Sequence, residues 1–96
     1  MPDFATAFNT GSFEKKLSAT ELVRAIRFSI ASEYEAIQIY EQISEATEDK
    51  HVKTVIKDII DEEKLHAGQF LDLLYKLAPD EKLINDKGAK ENKEKK

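Results

Sequence analysis

Cysteine is absent from this 96-residue chain, which excludes disulfides, thiolate metal sites and thiol catalysis. No apolar run reaches the length needed to span a bilayer, and no charged-then-apolar leader is present. The expectation is a protein neither inserted in a membrane nor secreted. Together with the missing cysteine, this fits a cytoplasmic protein. Basic clusters are also lacking in the body of the chain, and a formal charge of -4 leaves no footprint for nucleic acid. What remains is 41% hydrophobic and 35% charged, as expected of one small helical or globular domain that buries a limited share of its surface.

The first seventeen residues, MPDFATAFNTGSFEKKL, place Phe4, Phe8 and Phe13 among small polar residues without helical spacing. Residues 1–17 are expected to form an extended or disordered arm. A helix then begins with clear punctuation. Ser18 and Glu21 form a capping box, and Leu17 and Leu22 take the two hydrophobic-staple positions around it. Its apolar pattern continues to Ile43, and Ser44 to Lys50 reads as a turn. A second helix runs from about Asp49 to Leu77 and stops at Pro79. PDEKLIND permits a short third helix with proline in its first turn, and GAKENKEKK is expected to be a solvated tail or linker. The predicted fold is all-α: an antiparallel two-helix hairpin over residues 18–78, then a short helix and charged tail over residues 79–96.

Ile26, Ile30, Glu33, Ile37 and Tyr40 follow one another at spacings of 4, 3, 4 and 3. Val52, Ile56, Ile59, Glu63, His66, Phe70, Leu73 and Leu77 alternate 4 and 3 in the same way. Such spacing holds side chains on one helix face, as in a bundle seam. A second row in helix two, Ile60, Ala67, Leu71 and Leu74, widens its apolar face. Glu33, Glu63 and His66 are therefore expected to point inward. A carboxylate removed from water costs several kcal/mol unless paired, hydrogen-bonded or bound to metal.

The turn decides where these residues meet. With its centre near Glu48, Glu33 lies fifteen residues before and Glu63 fifteen after. At ~1.5 Å per residue both stand ~22 Å from the turn, at one level of the hairpin. A Glu from one helix with Glu-x-x-His from its neighbour is half of a carboxylate-bridged di-metal site of a helical bundle. Carboxylate oxygen and imidazole nitrogen suit iron, manganese or zinc. One chain carries one half, so the simplest completion is a two-fold dimer in which two hairpins form a four-helix bundle around the metals.

Glu-x-x-His is weak by itself: Glu48 and His51 match it too, but off the seam, and His51 reads as a surface residue. The competing account of Glu63 and His66 is a buried ion pair or a polar layer that sets register in a non-catalytic interaction module. The matched height of Glu33 favours metal. Tyr40 is either a core aromatic or a partner that orients a ligating carboxylate. Glu35 and Glu62 read as solvated or rim carboxylates.

SEYEAIQIYEQI followed by DEEKLHA resembles the encapsulated ferritins, a ferritin-like family with one hairpin per chain, over about Leu17 to Pro79. The resemblance implies a ferroxidase in which Glu33, Glu63 and His66 ligate iron, with Tyr40 near the centre. It implies Fe(II) and O2 as substrates, two irons per homodimer, dimers assembled into an annular decamer, and enclosure in the shell of an encapsulin nanocompartment that holds the mineral. Glu35 matches one member of a secondary metal-entry site, whereas Ser32 and Ile39 depart from the acidic residue and tryptophan of some members. The charged C-terminal end suits a linker, so the chain is expected to be the N-terminal cargo domain of a fusion with a shell protein. A rubrerythrin-like peroxidase is the third reading, ranked lower because no Cys-rich electron-transfer module is present.

Overall fold

The computed structural model describes residues 16–95, and all regular structure among them is helical. Three helices follow in order: α1 (Ala19–Ala46), α2 (Lys50–Leu77) and α3 (Pro79–Glu94). The arm expected over residues 1–17 lies outside the described residues except for Lys16 and Leu17.

α1 and α2 each start where a capping side chain satisfies free N–H groups of the first turn. The Ser18 hydroxyl accepts the Glu21 N–H at 3.2 Å, while Glu21 Oε1 accepts the Ser18 N–H at 2.9 Å. Asp49 caps α2 by accepting the N–H groups of His51 and Val52 at 3.0 and 3.1 Å. Thr47 steadies this tight turn, its hydroxyl accepting the Asp49 N–H at 3.1 Å. Between α2 and α3 only Ala78 is non-helical, because a residue ahead of proline is pushed out of the α region.

α1 and α2 have the same length, 28 residues, and lie antiparallel along one another. The buried hydrophobic side chains among the described residues are Ile37 from α1 and Ile60, Ala67 and Leu74 from α2. The second apolar row of α2 therefore closes the hairpin, and the row expected to be its seam is left partly open. Ile59, Leu73 and Leu77 of that row remain 36–45% exposed. The cause is geometric: two helices touch along one line, and a residue displaced from that line around the helix keeps one side in solvent. The molecule is 20 Å across its thinnest dimension, a single layer of helices.

α3 is longer than the sequence pattern suggested. The residues expected to form a charged tail continue the helix through Gly88 to Glu94, with no residue of α3 buried. Pro79 sits at its start, Asp80 and Glu81 face the positive end of the helix dipole, and Lys93 faces the negative end. Lys82 and Asp86 pair at 2.7 Å one turn apart. Lysine, glutamate and alanine then carry the helix by propensity rather than by packing.

Candidate metal centre

Glu33 is held by α1, and Glu63 and His66 by successive turns of α2. One ligand atom from each lies within 4.8 Å of the others, the one such group of three or more potential ligands among the described residues. Glu33 Oε2 stands 4.0 Å from His66 Nδ1, too far for a hydrogen bond. Two donors placed opposite one another at ~2.0–2.2 Å from a shared ion stand about 4.0–4.4 Å apart, so small side-chain rotations suffice to close the three on one cation.

Burial within the group is uneven. The Glu33 side chain is 17% exposed, and its Oε2 is buried without any hydrogen-bond partner. A buried, unpartnered carboxylate oxygen is costly, and native structures rarely tolerate one without a partner outside the protein chain. The His66 side chain, by contrast, is 45% exposed. His66 lies in a stripe along α2, with Val55, Ile59, Leu73 and Leu77 before and after it at spacings of 4, 7, 7 and 4. All four of those apolar residues are also exposed. The open side of the cluster thus looks out through an uncovered apolar surface.

The donor set fits a borderline or hard divalent cation. Two carboxylates and a neutral imidazole neutralise a 2+ ion and provide oxygen and nitrogen donors without sulfur. Three donors leave part of the coordination sphere for a second protein chain, water or substrate.

The other residues singled out from sequence fall outside this group. Tyr40 is half-buried and makes no hydrogen bond to the three donors. Glu35 is half-buried and Glu62 exposed, and neither joins the cluster. His51 is exposed at the start of α2. An open groove of about 400 Å³ on the hairpin sets Lys53, Lys57 and Lys64 near Glu41 and Glu45. Its opposite charges are interleaved, and it contains no group of metal donors. Sequence reasoning did not find the Arg27–Glu81 ion pair, whose partners are 54 positions apart with no periodicity linking them.

A family model described as Rubrerythrin matches residues 25–96, which include all three donors. The crystal structure of the encapsulated ferritin domain from Pyrococcus furiosus superposes with a TM-score of 0.86 at 33% identity, covering 91% of this chain and 89% of that one. The chain is a member of the encapsulated ferritins, within the rubrerythrin family. Its fold is accordingly the ferritin-like all-α fold.

Two curated relatives are similar to this encapsulated ferritin. A ferritin-like–encapsulin shell fusion protein of Pyrococcus furiosus is 36% identical over 81 residues, 84% of this chain. An encapsulin nanocompartment cargo protein, EncC, of Myxococcus xanthus is 36% identical over 67 residues, 70% of this chain. The chain spans 24% of the length of the first and 52% of the second. No helix among the described residues is long and apolar enough to cross a membrane.

Proposed function

We propose that this encapsulated ferritin is a ferroxidase, oxidising Fe(II) to Fe(III) with O2 at a di-iron centre shared between two copies of the chain. The observation that carries the reading is the convergence of Glu33, Glu63 and His66 around an unpartnered Glu33 oxygen. In each copy, Glu33 and Glu63 supply carboxylate oxygens and His66 an imidazole nitrogen. Iron held there supplies the redox chemistry, each Fe(II) giving up one electron to dioxygen. The protein's part is to hold two ions close together, neutralise their charge and keep the Glu33 side screened from water.

A dimer is supported by the position of the cluster in the open stripe of α2. Covering the exposed parts of Val55, Ile59, Leu73 and Leu77 would contribute on the order of 2–5 kcal/mol per chain, before the matching surface of α1 is counted. Ile39 and Ile43 of α1 are exposed in the same way. Two such hairpins joined face to face give a four-helix bundle with paired half-sites at its centre.

The names of the two relatives support a place for this chain inside an encapsulin shell; the reading sets that shell in the cytoplasm and has oxidised iron passing to mineral in the enclosed space. Assembly of dimers into an annular decamer belongs to the same reading. The match to the Rubrerythrin family model leaves a rubrerythrin-like peroxidase at the same centre as the second reading.

Native mass spectrometry and oxygen uptake, each with and without Fe(II), test the assignment. Iron-dependent assembly with O2 consumption is expected. Consumption of peroxide but not O2 would favour the second reading, and a monomer that takes up no iron would overturn both.

A further inference from the structure

Helix α3 docks with its polarity reversed. A surface helix ordinarily turns its apolar face toward the body of the protein. Here Leu83 and Ile84 are 71% and 67% exposed, and Glu81 is the only residue of α3 that is not exposed. Glu81, Lys82 and Asn85 lie together on the gripping side. Arg27 of α1 donates from Nε to Glu81 Oε1 at 3.0 Å and from Nη2 to the same oxygen. Asn85 donates to the Tyr75 hydroxyl of α2 at 3.2 Å, and the Lys82 ammonium stands 6.0 Å over the Tyr75 ring. Asp80 adds to the field of Glu81, and the two hold the Arg27 guanidinium above its ordinary pKa.

The energetic consequence follows from exposure. With no apolar side chain of α3 buried, the side-chain hold among the described residues rests on one neutral hydrogen bond, a distant cation–ring contact and an ion pair. The Arg27 side chain of that pair is 51% exposed. An ion pair in water is worth little and weakens further as salt shortens the range of charge. The connection is equally slight: Ala78 alone separates the helices, at φ -136° and ψ 73°. The region open to a residue ahead of proline extends to ψ of about +160°, so a change at this one residue swings α3 as a unit. The Lys82–Asp86 pair lies wholly within α3 and moves with it.

We propose that α3 is a hinged strap, latched across the hairpin by Arg27 and Glu81 at low ionic strength and released about Ala78 as salt rises. The latch sets the direction in which the charged second half of α3 leaves the hairpin, and in which Leu83 and Ile84 are presented.

The absence of cysteine makes the test direct, because Thr20→Cys and Lys90→Cys provide two unique attachment points on α1 and α3. Spin-labelled full-length chain, diluted into unlabelled chain, is measured by double electron–electron resonance in low salt and in about 1 M NaCl, where the screening length falls to about 3 Å. One narrow distance population is expected in low salt. At high salt the ratio of docked to released forms falls by up to about five-fold, the range open to an exposed pair. Arg27→Gln gives the high-salt distribution at every salt concentration, and the exchange Arg27→Glu with Glu81→Arg restores the narrow population in low salt. A distribution unmoved by salt and by Arg27→Gln overturns the proposal. So does a parallel loss of helical circular dichroism, which would mean that α3 melts rather than swings.

Discussion

Glu33 and His66 face each other across the hairpin with Oε2 and Nδ1 4.0 Å apart, a gap too wide for a hydrogen bond and suited to a shared cation. The buried oxygen of Glu33 has no other partner. On the proposed reading, Glu33 destabilises the empty protein and would bind the ion, which sets stability against function at one position.

Replacing Glu33 should therefore move the two properties in opposite directions. Glu33→Leu is expected to raise the stability of the metal-free protein by about 1–3 kcal/mol, the scale of an unsatisfied buried polar group. The same variant should bind Fe(II) at least about ten-fold more weakly, a loss of ~1.4 kcal/mol or more. Urea unfolding of the apo protein and anaerobic calorimetry measure the two effects. A less stable apo variant would mean that Glu33 has a structural partner after all.

The two histidines should separate cleanly. His66→Ala is expected to abolish Fe(II)-dependent O2 uptake while the far-ultraviolet spectrum stays helical, because α2 is capped and packed without it. His51→Ala, exposed and remote from the cluster, should leave oxygen uptake unchanged.

A charge placed in the open stripe should separate folding of the hairpin from assembly. Leu73→Lys lies two helical turns beyond His66 and touches none of the three donors. Sedimentation should give a chain unable to dimerise, and iron oxidation should be lost along with the dimer. Wild-type sedimentation with lost activity would place Leu73 outside the interface.

Asp49 accepts two N–H groups at the start of α2. Asp49→Ala should lower stability by about 1 kcal/mol, the usual cost of a lost cap. Asp49→Asn retains an accepting oxygen and should recover most of it, read as the shift in thermal midpoint.

Much of the site was legible because it follows from counting. The levels of Glu33 and Glu63 depend only on the helix rise and on the position of the turn, and the stretch Ser44 to Lys50, marked by composition, contains the observed turn of Thr47 to Asp49 although its ends are helical. Ser18 and Asp49 cap α1 and α2 through local contacts spanning two or three residues. The choice between the two apolar rows of α2 was not legible in the same way. Both rows satisfy helical periodicity, and the rotation of α2 about its axis depends on packing against α1. The length of α3 was hidden for another reason: its second half is nearly devoid of apolar residues, so no periodic signal distinguishes a helix from a solvated tail. Arg27 and Glu81 are joined only by the path of the chain around two turns.

A single layer of helices 20 Å thick has no inside of its own. Ile37, Ile60, Ala67 and Leu74 are its buried side chains among the described residues, a small core to set against the entropy of ordering the rest. In the proposed dimer a second copy would complete the layer, so that association would add to the stability of the hairpin and protein concentration would raise it. Confinement in a small volume, by holding copies at high local concentration, would itself be a source of stability.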